Sequence, residues 1–214
     1  MGMKFGRFLL WFFKPLYWLL FPYKVVGREH VPKESDGPVI LCCNHQSYLD
    51  PVYLLMSQKR HIYFMAKAEL MKGRLGHWFF ANVMGVFPVK RGTGDTGAID
   101  TAVQLVKEGK MMGIFPEGTR SRDGKLGRGK SGAALIVSRT GAMVQPVGIR
   151  TKNQKPRIFR KVTVTYGEPI PFEELHLDDP EHPDLRYASR LIMGRIAGLI
   201  GEQEEAANNP PRKE

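Results

Sequence analysis

Cysteine is nearly missing from this chain: the only two, Cys42 and Cys43, are neighbours inside one apolar run. Adjacent cysteines cannot close an ordinary structural disulfide and offer no metal-ligand spacing. With no activating pattern beside them they read as inert packing and not as nucleophiles. A reduced, cytosol-facing chain is the expectation. Acid is also short, with 21 Asp and Glu against 32 Lys and Arg, a net charge of +11. That imbalance predicts attraction to phosphate-bearing surfaces, nucleic acid and anionic lipid alike. An unbroken run of the roughly 20 apolar residues that a spanning helix needs is absent. So is any internal repeat, and the single linker-like stretch, 175–184, is too short to separate domains. The histidines His30, His61, His77, His176 and His182 are scattered without paired carboxylates or cysteines, so neither a metal nor another cofactor is expected.

What is present begins with the N-terminus. MGMKFGRFLLWFFKPLYWLLFPY packs nine aromatics, from Phe5 to Tyr23, around Lys4, Arg7 and Lys14. The apolar part, Phe8 to Tyr23, covers sixteen residues and is interrupted by Lys14, Pro15 and Pro22. Trp and Tyr favour the headgroup level of a bilayer, and a Pro between two short apolar helices predicts a helical hairpin over 1–24 that lies in one leaflet. A cleaved signal peptide and a buried core hairpin are the competing readings. The many aromatics and the lack of a small-residue cleavage site disfavour the signal peptide.

Downstream, strand-length apolar runs alternate with helical patterns: PVILCCN then PVYLLMSQ, HIYFMAK then ELMKGRLGHWFFANV, GVFPVK then TGAIDTAVQLVKEG, MMGIFPE then SGAALIVSRTG, and MVQPVGI. This rhythm predicts an α/β domain over 25–205, long enough for one sizeable core. RKVTVTYGEPI, at 160–170, alternates Val162, Val164 and Tyr166 with Thr163 and Thr165. It reads as a late strand with one solvent-facing side, at the edge of a mixed sheet. Residues 184–205 form a last amphipathic helix, and a disordered tail is expected over 206–214.

Two polar islands stand out because each follows a strand-like run: NHQSYLD at 44–50 and FPEGTRSRDG at 115–124. In the first, His45 and Asp50 are five residues apart, which places them on different faces of a regular helix. If His45 sits in the loop and Asp50 in the first helical turn, the carboxylate can fold back to one imidazole nitrogen and leave the other as a base. Asp50 as a helix N-cap before Pro51, or Ser47 in that role, explains the same residues without chemistry. The second island, with Pro116 and Gly118, reads as a tight turn whose amides bind an oxyanion, or as a solvated basic loop on a type I turn. Arg120, Arg122, Lys125, Arg128 and Lys130 share eleven positions with Gly124, Gly127 and Gly129, and Gly118 and Gly132 flank them. Lys67 and Arg91 add cations after two predicted strands.

These blocks carry a resemblance. NHQSYLD, with four residues between His45 and Asp50, is similar to the first block of the glycerolipid acyltransferase family, the lysophosphatidate acyltransferases. GVFPVKR resembles the second, ending in Arg91; FPEGTRS matches the third; VQPVGI, with Pro146, resembles the fourth. AKAEL at 66–70 resembles the stretch after the first block and makes Lys67 a candidate ligand. The first and third blocks are specific, whereas the second and fourth are degenerate. The resemblance implies a mixed, mostly parallel sheet flanked by helices, preceded by an N-terminal two-helix membrane-docking motif. It implies acyl transfer from acyl-CoA or acyl-carrier protein to lysophosphatidic acid, giving phosphatidic acid, with His45 and Asp50 as the catalytic pair. Lys67, Arg91, Glu117, Gly118, Thr119 and Arg120 would bind the acceptor phosphate, Glu117 in a supporting part. Glycerol 3-phosphate or another lysophospholipid are alternative acceptors.

A monotopic or peripheral place on the cytoplasmic face of the cell membrane follows from the same resemblance and the short aromatic segment. A non-catalytic module for anionic membranes stays open as a different class of function. Nucleic-acid binding ranks last, because the aromatics do not interleave with the basic loop. Oligomeric state is not legible.

Overall fold

The computed structural model describes residues 2–71, 73–89, 96–121, 123–151, 158–179 and 181–201. In chain order the regular elements are α1 Gly2–Leu20, β1 Tyr23–Val26, β2 Val39–Cys43, α2 Asp50–Ser57, β3 Ile62–Lys67, α3 Arg74–Asn82 and β4 Val86–Val89. There follow α4 Thr96–Lys107, β5 Met111–Ile114, α5 Gly132–Thr140, β6 Met143–Thr151, β7 Val162–Tyr166 and α6 Leu185–Ile200. Among the described residues seven strands make one sheet in the order β1-β7-β6-β2-β5-β3-β4. Only β6 and β7 run antiparallel; every other neighbouring pair is parallel. The expected mixed, mostly parallel α/β sheet is what forms.

β2 lies at the centre, and all five of its residues are buried. Successive strand side chains point to opposite faces, so VILCC feeds two cores at once. Ile40 and Cys42 join the side covered by α4, α5 and α6 through Val106, Ile136, Ile192 and Ile196. Val39, Leu41 and Cys43 join the other, with Tyr53 and Leu54 of α2, while Leu10 and Tyr17 of α1 and Phe80 of α3 pack at its margin. A run without alternation is the mark of such a doubly covered strand.

Four expectations change. The segment expected as a hairpin broken at Pro15 is a single helix, α1, with Pro15 inside it. An interior Pro costs a helix about 3 kcal/mol. Packing of Leu10, Tyr17 and Phe21 against the second core offsets this, since full burial of such a side chain contributes about 1.5–3 kcal/mol. Tyr23, expected at the end of the membrane segment, instead starts β1, and its hydroxyl donates to the Met56 carbonyl at 2.9 Å. β7 is not an edge strand, although its alternation of buried and half-buried residues is as read. β1 pairs along it from Tyr23↔Val162 to Val26↔Thr165. Finally, ELMKGRLGHWFFANV is two pieces, a 3-10 turn over Ala68–Met71 and then α3, which starts after Gly73 at φ 77°. The tail at 206–214 lies outside the described residues.

Candidate active site

Both polar islands leave the C-terminal end of the sheet from adjacent parallel strands, because Ile40, Leu41 and Cys42 pair with Met112, Gly113 and Ile114. Loops at that end of parallel strands converge on one crevice. Asn44 ends β2 in a specific way. Its side-chain amide donates to the Ile149 carbonyl at 2.9 Å and accepts from the Ile149 N–H at 2.7 Å, reproducing a ladder pair with β6. The chain is thus pinned one residue before His45.

Past that pin, the loop closes on Asp50, which is fully buried and lies in the first turn of α2 with Pro51 beside it. One oxygen, Oδ2, accepts three hydrogen bonds: from His45 Nδ1 at 2.8 Å, from the Gln46 N–H at 2.7 Å and from the Ser47 N–H at 2.7 Å. The carboxylate therefore ties its own loop back to its helix while it holds one imidazole nitrogen. An Asp fixing Nδ1 sets the tautomer in which Nε2 is the basic nitrogen. The imidazole stacks on Phe115, centroids 4.0 Å apart, and retains 18% side-chain exposure. It is held on one face and open at its edge.

The second island forms a turn in which the Gly118 N–H donates to the Phe115 carbonyl at 2.9 Å, with Gly118 at φ 69°. Glu117, buried within it, accepts from the His45 N–H through Oε1 and from the Gly127 N–H through Oε2, each at 2.8 Å. Burial pushes its carboxyl above the usual range, against the opposing pull of those two amides. A Cβ at Gly127 would stand 2.8 Å from Glu117 Oε2, so a larger residue there would displace the carboxylate. The Ser121 N–H returns to the His45 carbonyl at 2.7 Å, and Gln46 Nε2 donates to the Gly124 carbonyl at 2.9 Å. So the two islands are one site, laced together through the backbone of His45.

Arg120, exposed with Thr119 at the mouth, lays its guanidinium over the Tyr48 ring, 3.5 Å from Cζ to centroid. A shallow pocket of about 370 Å³ opens beside it, lined by Glu117, Thr119, Ser121, Lys125, Gly127 and Arg128 among others. Lys130 lies along Gly118, whose Cβ position is 3.3 Å from the ammonium. Lys67 closes β3 at the same end of the sheet, paired with Val89. Arg91 and Arg122 lie outside the described residues. Among the described residues no group of three or more His, Cys, Asp or Glu is arranged to hold a metal ion.

Sequence reasoning did not single out Asn44, Gln46 or Tyr48. Asn44 and Gln46 were inside the first polar block, so type and position were visible but their partners, more than seventy residues away, were not. Glu117 was expected near the acceptor, yet both its oxygens are occupied by backbone amides.

A buried carboxylate, a partly exposed imidazole and a basic turn meet at the carboxyl ends of parallel strands, where the ligand crevices of α/β sheets lie. The acyltransferase family model matches residues 22–150, and the chain belongs to that family. It is 31% identical over 153 residues to the 1-acyl-sn-glycerol-3-phosphate acyltransferase of Bacillus subtilis, 69% of this chain and 73% of that one. To a chloroplastic protein of the same description from Arabidopsis thaliana it is 34% identical over 148 residues, 67% of this chain and 40% of the other. The chain spans about two fifths of the length of that plant relative and 36% of one from Brassica napus. The crystal structure of the 1-acyl-sn-glycerophosphate acyltransferase PlsC of Thermotoga maritima superposes with a TM-score of 0.66 and 25% identity, over 92% of this chain and 81% of that one.

Proposed function

We propose that this chain acylates the free hydroxyl of lysophosphatidic acid from an acyl thioester, giving phosphatidic acid. The observation that carries the reading is the His45–Asp50 pair, 2.8 Å apart, set against the 115–121 turn. In this reading His45 Nε2 takes the acceptor's hydroxyl proton as the oxygen attacks the thioester carbonyl. The tetrahedral intermediate then collapses, the C–S bond breaks, and the imidazolium returns its proton to the leaving thiolate. Asp50, already paired at Nδ1, stabilises the imidazolium formed midway. General-base catalysis of this kind contributes about 10²–10⁴ in rate, and positioning supplies much of the rest.

Arg120 is the acceptor-phosphate ligand in this scheme, with Lys67 and Arg91 as further cations and the 118–119 backbone beside them. A guanidinium suits bidentate phosphate contact, and its stacking on Tyr48 pre-organises it. Glu117 serves the phosphate indirectly, by holding the turn. Relatives named as 1-acyl-sn-glycerol-3-phosphate acyltransferases support the choice of acceptor. Acyl-CoA or acyl-carrier protein is the donor.

Membrane docking belongs to the same proposal, with two helices taking part, α1 and α3 in place of a hairpin within 1–24. Trp11 is 70% exposed and Leu75 is 80% exposed; Phe5 of α1 meets Trp78 of α3 with ring centroids 6.2 Å apart. Among the described residues no helix is long and apolar enough to cross a membrane. An aromatic face of this size suits insertion at one leaflet. The free, buried Cys42 and Cys43 fit the cytoplasmic side. The experiment is thiol release from acyl-CoA by the purified chain with lysophosphatidic acid presented in vesicles. Lack of acceptor-dependent thiol release, with either donor, would refute the assignment.

A further inference from the structure

Asp50 has a second oxygen. Oδ2 carries three hydrogen bonds, yet Oδ1, equally buried, makes none among the described residues. A buried carboxylate oxygen left in that state costs more than a lost hydrogen bond between neutral groups. Two phenols share its surroundings. Tyr53 sits one turn after Asp50 on α2, and helical side chains lean toward the preceding turn, which carries its ring toward the carboxylate. Tyr17 meets Tyr53 from α1, its ring 5.7 Å from that of Tyr53 in an edge-on arrangement. Both hydroxyls are buried, and both feel the charge of Asp50. They also act on one another, although neither completes a hydrogen bond of normal geometry.

Oδ1 of Asp50 and the hydroxyls of Tyr53 and Tyr17 are three buried polar atoms that complete no normal hydrogen bond among the described residues. Apolar residues would fill the same space at less expense in free energy. We propose that Tyr53 and Tyr17 form a positioning relay that holds Oδ1 of Asp50, and through it His45, in the reactive arrangement. Where the span exceeds hydrogen-bond reach, one ordered water bridges it, as is usual for such groups. Burial pushes the Tyr53 phenol up to about 12 and that of Tyr17 further, so both remain O–H donors at working pH. The other groups facing Asp50 are Cys43 on β2, whose thiol burial also raises, and Glu117 on the second island. Neither supplies a donor toward Oδ1, because Cys43 Sγ is directed to Asn44 Oδ1. Tyr23, the third phenol of the cluster, is committed to Met56. α1 is then part of the catalytic apparatus as well as an anchor.

This rests on His45 and Asp50 being the catalytic pair. The phenol donors draw charge from the carboxylate; without them Asp50 binds the imidazolium proton more tightly, and the base is freed only at higher pH. The test uses the full chain with Y53F, Y17F, the double variant, Y23F as the control and H45A. Acyl-CoA turnover is followed on vesicles across a pH series. Y53F and Y17F are expected to lower kcat about tenfold and to move the acidic limb of the rate profile to higher pH. Acceptor KM, vesicle binding and the Y23F profile stay as in the parent chain. If Y53F destabilises the fold, Y17F reads the same relay from outside α2. Unchanged kcat and pH profile in the double variant, with H45A inactive, overturn the relay. Activity in H45A instead removes the reading on which it rests.

Discussion

The backbone N–H of His45 donates to Oε1 of Glu117 at 2.8 Å, so the first loop is bolted to the carboxylate of the second, 72 positions away. Glu117 in turn is fixed by the Gly127 N–H. The main chain of His45 is held from one side and its imidazole from the other, by Asp50. Such double restraint is what a base needs when 1 Å of misplacement can cost on the order of 10²-fold in rate.

Replacing His45 by Ala should lower kcat by about 10²–10⁴ with vesicle binding intact. Asp50→Asn keeps the shape and removes the charge, and should lower kcat within the same range while acceptor KM moves little. Steady-state thiol release measures both; an Asp50→Asn variant at parental rate would remove Asp50 from the chemistry.

Arg120→Ala should raise the acceptor KM at least tenfold, since charge-assisted bonds contribute about 1.5–3 kcal/mol. Tyr48→Leu removes only the stacking surface beneath the guanidinium. A cation–π contact at an exposed site is worth about 0.5–1 kcal/mol, so KM should rise a few-fold with kcat unchanged. Equal KM values for parent and Arg120→Ala would count against phosphate binding there.

Glu117→Gln replaces one acceptor oxygen by a donor that faces a buried N–H, and should loosen the junction and lower kcat. Its pH signature is distinct. Because burial raises the Glu117 carboxyl above its ordinary 4.5, its contribution to stability is full below that value and is lost as pH rises through the folded-state value. The parent should therefore lose ground to Glu117→Gln between those two points. Denaturant unfolding at a series of pH values checks this, and a gap between the two proteins that does not change with pH would contradict it.

Deletion of 1–23 is a poor test of docking, since it takes Tyr17 and Phe21 out of the core and Tyr23 out of β1. Serine at the exposed Trp11, Phe12 and Trp18 leaves those contacts alone. The triple variant should sediment without anionic vesicles and melt close to the parent; retained co-sedimentation would locate the docking face elsewhere.

Gly6 lets α1 approach α3: a Cβ there would stand 2.1 Å from the Asn82 carbonyl oxygen. Gly6→Ala should force the helices apart and destabilise by about 1–3 kcal/mol, read as a lower denaturation midpoint with the same slope.

Alternation of apolar runs with helical periods was enough to fix the α/β class, the order of elements from β2 to α6 and the places of both polar islands, because these depend on local pattern. VILCC announced a strand, and FPEGTRS a turn. Three things were decided only by contacts between distant segments. Pro15 and the aromatics around it spelled a broken hairpin, and packing against Tyr53 and its neighbours kept α1 whole. Val162 to Tyr166 spelled an edge strand, and β1, four residues hidden behind an aromatic segment, covered it. The spacing of His45 and Asp50 favoured a helix cap and a structural histidine, with a folded-back pair as the other reading. The fold brought the two side chains together, burying the carboxylate completely and giving one of its oxygens three donors, since a charge out of water must be met by hydrogen bonds. Residue type and order are local and can be read along the chain. Which side chain meets which across more than a hundred residues, as Asn44 meets Ile149, is set by strand order, and strand order belongs to the tertiary structure.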